Sequence, residues 1–197
     1  MSTTQIVALA VIALIVFWAI GAYNRLVRLR NAIANAYAQI DVQLKRRHDL
    51  IPNIVEVARR YLQHEAETLE RVTAARNQAR AAADIARAQP TAAGALGGLA
   101  LAEGVLDGAM GKLMAVVEAY PDLKADEQMR ELAEELTSTE NKVAFSRQLF
   151  NDAVLDYNNA AQQVPTNIVA ALGGFREAAM LQATQSPAER EPVRVAF

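Results

Sequence analysis

The chain is 197 residues long, 52% hydrophobic but only 6% aromatic, with a formal net charge of −2. That length leaves room for one domain with its own core beside a membrane segment, and a near-neutral chain has no global attraction to nucleic acid. The absence of cysteine excludes disulfides, thiolate nucleophiles, cysteine zinc sites and a lipidated N-terminal cysteine.

Residues Gln5–Asn24 carry no charge, and Ile6–Ala22 reads IVALAVIALIVFWAIGA. A helix of about 20 residues rises roughly 30 Å, the thickness of the hydrocarbon core. Trp18 and Tyr23 stand near its end, where amphipathic rings favour the interface. Arg25, Arg28 and Arg30 follow, whereas no Lys or Arg precedes Ile6. The positive-inside rule therefore predicts an external N-terminus (residues 1–4), a transmembrane helix (5–23) and a cytoplasmic remainder. A cleaved signal peptide is the rival reading, with Ala19-Ile-Gly-Ala22 as its cleavage site. Against it stand the missing basic n-region and an apolar stretch longer than a typical h-region.

Beyond the anchor, strong helix formers fill the chain and apolar residues recur at three-and-four spacing, which predicts an all-α protein. The first cytoplasmic helix carries Leu26, Ile33, Tyr37, Ile40 and Leu44 and is expected to stop near His48-Asp49. Asp49 then caps a second helix with Pro52 in its first turn, running to about Ala88. Gln89–Gly98 reads as a break. A third helix runs to Tyr120-Pro121, which ends it because the residue before proline is pushed out of the α region. The fourth spans about Lys124 to Ala160. Asn167–Met180 reads as a short membrane-proximal helix within 165–181, and the polar stretch 182–197 as a disordered tail. Short loops between long helices favour an antiparallel up-and-down four-helix bundle over residues 24–164. The second and fourth helices come out about a dozen residues longer than the first cytoplasmic one, roughly 18 Å, so an upright bundle would collide with the bilayer.

Several of these segments resemble the LemA family of bacterial membrane proteins. The residues that carry the likeness are Tyr23-Asn-Arg-Leu-Val27, Ile40-Asp-Val-Gln-Leu-Lys-Arg-Arg-His-Asp-Leu-Ile-Pro-Asn53, Ala119-Tyr-Pro-Asp-Leu-Lys-Ala125, Phe150-Asn-Asp-Ala-Val154 and Pro165-Thr-Asn-Ile-Val-Ala-Ala-Leu-Gly-Gly-Phe175. The resemblance implies a membrane-bound antiparallel helical bundle with its N-terminus outside. It brings no catalytic residue with it. Family members are linked with a membrane metalloprotease, and relatives serve in the biogenesis of magnetic organelles. The Gly-rich third helix and Gly174 depart from the usual pattern.

No enzyme is expected. The chain has two histidines, too few for the paired Glu-x-x-His motifs of di-iron bundles, and no cofactor or metal site is read. Arg46-Arg47-His48-Asp49 reads as a solvated helix end. The two expected far-end turns supply a candidate partner surface of Arg47, His48, Asp49, Pro52, Asn53, Tyr120, Pro121 and Asp122, since exposed loops on a rigid scaffold commonly carry function. Gly104, Gly108 and Gly111 are candidates for close helix–helix contact, because each helical glycine costs about 1 kcal/mol relative to alanine. Ile168, Val169, Leu172 and Phe175 are candidates for an interfacial membrane contact. The expected function is a membrane-anchored scaffold or adaptor, acting as a homo-oligomer. Membrane remodelling by lateral assembly and service to a membrane protease are the alternatives.

Overall fold

A computed structural model describes residues 2–181, and every regular element among them is helical. The order is α1 (Thr3–Tyr61), α2 (Ala66–Ala88), α3 (Ala93–Ala119), α4 (Pro121–Ala125), α5 (Glu127–Gln162) and α6 (Thr166–Leu172). The segment expected to be a disordered tail, 182–197, lies outside the described residues. So does Met1.

The apolar segment is the first third of α1, exposed on every side up to Ile20 apart from a half-covered Ala19. Only from Ala22 onward does α1 acquire a buried face, through Leu26, Ile33, Tyr37, Ile40 and Leu44. α5 lies antiparallel along that face. At the far end the Tyr61 hydroxyl donates to Asp126 over 2.8 Å. In the middle the rings of Tyr37 and Phe150 meet edge to face at 5.9 Å. Near the apolar segment, Leu26 clusters with Ala160. Asp126 also caps α5 by accepting from the Met129 amide at 3.0 Å. The Met129 amide first, then the Tyr61 hydroxyl, hold the Asp126 carboxyl below its ordinary value, because both bond to the charged form.

α2 folds back on α1 and α3 on α2, whereas α3 and α5 barely meet. The long helices thus pack in the order α5, α1, α2, α3, and the seam between α3 and α5 is left open. Residues along that seam are often small, with Ala100 and Gly111 on α3 and Ala133 and Ala144 on α5. The α2–α3 hairpin covers only the upper part of the bundle. Its tip, around Ala86 and Leu96, packs at the level of Tyr37.

Three expected elements differ from those observed. The first is the helix break at His48–Asn53, which is absent: α1 continues through Pro52 to Tyr61. A proline inside a helix has no amide to offer the carbonyl four residues back, here that of His48. Arg76 of α2 takes its place, with Nε donating to the His48 carbonyl oxygen over 2.9 Å. The turn falls instead at Leu62–Glu65, before α2. This removes the length conflict, since α1 beyond Tyr23 now matches the 36 residues of α5. The second difference is the start of α3, which takes in Gly94, Gly97 and Gly98 rather than following them.

The third is the short helix after Pro165, which stops at Leu172 instead of continuing to Met180. Gly174 at φ 70° turns the chain, a conformation that costs glycine little. Residues 175–181 then form a non-helical strap climbing the bundle. Asn158 holds it with both amide atoms, Nδ2 to the Ala178 carbonyl and Oδ1 from the Ala178 amide, each at 2.9 Å. Asn151 does the same to Leu181 at 3.1 and 2.9 Å. The Tyr157 hydroxyl adds a bond to the Arg176 carbonyl at 2.8 Å. Seven residues separate the two asparagines, or two helical turns, so both point along one face of α5.

Candidate functional site

The open seam between α3 and α5 is a groove of about 490 Å³. Its walls are apolar, with Leu44, Leu99, Met110, Met114, Leu136 and Val143, and its floor is ionic. Arg47 rises from α1 at 5% exposure. Its Nη1 bonds Glu103 of α3 at 2.7 Å, and its Nη2 reaches Asp107 of α3 and, at 3.3 Å, Glu140 of α5. His48, at 3% exposure, meets the other oxygen of Glu103 through Nε2 at 2.8 Å. An ionised carboxylate only accepts, so that contact places a hydrogen on Nε2.

Burial works against the Arg47 charge, but the carboxylates of Asp107, Glu103 and Glu140 outweigh it and hold the guanidinium above its ordinary pKa. The cation is therefore permanent and ties three helices together at the one place where two of them fail to pack. Two buried polar atoms have no partner among the described residues, Gln43 Oε1 and Arg47 Nε, one helical turn apart on α1. Chemically the cluster is an ionic clasp. Among the described residues no three His, Asp or Glu side chains are grouped to hold a metal ion.

The candidate residues distribute as follows. Ile6, Trp18 and Tyr23 are exposed on α1, and Arg25, Arg28 and Arg30 follow them as exposed cations. The expected partner surface divides. Arg47 and His48 are core residues, which corrects their reading as a solvated helix end. Asp49, Pro52 and Asn53 are exposed but lie mid-helix. Tyr120 is half-buried as the C-cap of α3, and Pro121 and Asp122 open α4. Asp49 stands twelve residues before Tyr61, about 18 Å along α1, so the two groups do not share one tip. An added Cβ at Gly108 or Gly111 would meet nothing within 4 Å, so neither is a point of close packing inside this chain. Of the interfacial set, Ile168 and Leu172 are exposed, Val169 is half-buried, and Phe175 turns inward onto Tyr23, ring centroids 5.2 Å apart.

Sequence reasoning missed Glu103, Asp107 and Glu140 as partners of Arg47. The charged residue that breaks a run of small and apolar ones, Glu103 in Leu-Ala-Glu-Gly-Val, was the available signal.

The family model described as "LemA family" matches residues 36–197. The chain belongs to the LemA family. The matched region takes in the bundle and the strap, and starts beyond the apolar segment. This LemA-family chain is also 34% identical over 99 residues to "Magnetosome protein MamQ 2" of Paramagnetospirillum magneticum, a stretch covering 49% of this chain and 36% of that protein. It is 32% identical over 75 residues to "Magnetosome protein MamQ" of Magnetospirillum gryphiswaldense, covering 38% of this chain and 28% of the other. With "Protein LemA" of Metamycoplasma hominis it shares 25% identity over 174 residues, 88% of this chain and 75% of the relative. The chain thus spans about a third of the length of the magnetosome relatives.

Proposed function

We propose that this LemA-family protein is a non-enzymatic, membrane-tethered scaffold that receives a helical segment of another protein in the α3–α5 groove. The carrying observation is the open seam, with apolar walls over an ionic floor in a bundle otherwise closed. An amphipathic helix laid into an apolar groove is a common recognition mode. The carboxylates of Asp107 and Glu140 on the two walls, both near half exposure, favour a partner helix that carries Lys or Arg. Continuity of α1 supports the tether: span and core belong to one helix, so the groove is held at a fixed height above the bilayer. The cations after the span, with none before it, support an external N-terminus and a bundle on the cytoplasmic face of a bacterial plasma membrane. A membrane metalloprotease that presents such a helix is one partner of this kind.

A second reading is lateral assembly of copies of this chain. Exposed apolar pairs at helical spacing favour it, Leu101 with Val105 on α3 and Phe145 with Leu149 on α5, as does the kinship with magnetosome proteins.

One experiment separates the two. A photo-crosslinking amino acid is placed at Thr137, exposed on the groove wall, and at Asn77, exposed on α2, in cells that make the full-length protein. A discrete adduct with a different protein from Thr137 alone supports the scaffold. An adduct at twice the subunit mass supports assembly. No adduct beyond that of Asn77 overturns the groove as a docking site.

A further inference from the structure

We infer that Val164, Ile168 and Leu172 enter the lipid interface, so that α6 is a second membrane contact beside the anchor. The inference rests on reading the apolar start of α1 as a membrane span, and concerns what that span brings with it.

Depth is the first argument. From Tyr61 and Asp126 down to Tyr37 and Phe150, α1 and α5 each move twenty-four residues, so they run level with one another. Continuing that count places the end of α5 at Gln162 beside Arg25 of α1, two residues past the span. Everything that follows Gln162 and stays beside α1 therefore stands at the edge of the bilayer. It does stay there: Ala170 clusters with Leu26, and Phe175 meets the Tyr23 ring. Ala22, inside the span, is only 9% exposed in a segment otherwise almost bare, and α6 packs against α1.

Chemistry is the second. Val164, Ile168 and Leu172 are four residues apart and are 81%, 60% and 85% exposed, pointing away from the bundle. Ile168 and Leu172 lie one turn apart on α6, and Val164 sits in the turn that leads into it; three branched aliphatic side chains facing water there would be an unexplained apolar patch. At the anchor's exit they face acyl chains. Around them Asn167 and Arg176 are exposed, with Arg25 and Arg28 on α1, the polar and cationic company that suits headgroups. This contact differs from the one expected from sequence: Val164 joins it, the half-buried Val169 drops out, and Phe175 leaves it to brace Tyr23.

The test uses the single tryptophan, Trp18. Full-length protein is placed in vesicles of phosphatidylcholine and phosphatidylglycerol with brominated acyl chains, which quench only tryptophan within the bilayer. Native Trp18 reports on the span itself. In a Trp18→Phe background, Ile168→Trp and Leu172→Trp report on α6, and Phe145→Trp, exposed on α5, is the reference outside the lipid. Retained helical circular dichroism identifies the variants that fold. The expected result is quenching of Ile168→Trp or Leu172→Trp severalfold above Phe145→Trp and comparable with Trp18. Quenching equal to Phe145→Trp while Trp18 is quenched overturns the α6 contact alone. A tryptophan at 168 or 172 that bromolipid leaves bright but aqueous acrylamide cannot reach is covered by a second copy of the chain, and overturns the lipid assignment. An unquenched native Trp18 overturns the span and the inference together.

Discussion

Arg47 is a long cation withdrawn almost wholly from water, with its two terminal nitrogens met by three carboxylates from two helices. A buried ion pair of this kind contributes little against well-packed apolar residues, but breaking one side of it is costly, since it strands a charge. Arg47→Met leaves Glu103 buried beside His48 and is expected to destabilise the protein by about 3–5 kcal/mol. The double variant Arg47→Met/Glu103→Leu is expected to recover most of that loss. Chemical denaturation of full-length protein in detergent, followed by circular dichroism, measures both. Equal losses in the single and double variants would show that the groove depends on the cation for something other than charge balance. The run Arg46-Arg47-His48-Asp49 could not announce this from sequence. Of the two adjacent arginines one is buried, while Arg46 is exposed and pairs with Glu135. Only the turn of α1 decides which is which, and the expected break at Asp49 hid that turn.

Among the elements, α1 is where local rules and tertiary structure disagree. Proline and a preceding Asp are sound signals for a helix start, and they failed here because a residue on another helix supplies what Pro52 removes. Arg76 has no local mark that ties it to the His48 carbonyl. The hydrogen bond, with a charged donor and in a partly buried setting, is worth about 1.5–3 kcal/mol. Arg76→Met should cost that much in the wild-type background and markedly less with Pro52→Ala, where the helix has its own amide again. A double-mutant cycle by denaturation reads the difference as a coupling energy, and a coupling near zero would reject the compensation. By contrast Tyr120-Pro121 behaved as its sequence says, because its partners are all local. Proline sits in the first turn of α4, and α3 ends one residue before Tyr120.

At the scale of the whole molecule, the all-α class and the apolar N-terminal helix were legible, since periodicity and composition act over tens of residues. The open α3–α5 seam and the strap were not. Each depends on which faces meet, and Asn151 and Asn158 look like ordinary polar positions until a backbone is laid across them. Replacing Asn158 with Leu removes both bonds to Ala178 and leaves two buried backbone groups unpaired. The expected cost is about 2–6 kcal/mol, with faster hydrogen exchange concentrated at Ala178 and Leu181. A uniform rise in exchange across α1 and α5 instead would mean that Asn158 supports the helices and not the strap.

The strap also sets a length. Phe175 begins it against Tyr23, and Leu181 ends it beside Asn151, next to the ring pair of Phe150 and Tyr37. Along α1 the fourteen residues from Tyr23 to Tyr37 rise about 21 Å. The six peptide steps from Phe175 to Leu181 can reach about 20–22 Å fully stretched. The strap therefore has almost no slack. It works as a ruler laid between the foot of the bundle and the mouth of the groove, where Leu181 forms part of the lining. The height of the groove above α6 is fixed by a count of residues, and anything that pulls α6 downward must draw on the groove's own edge.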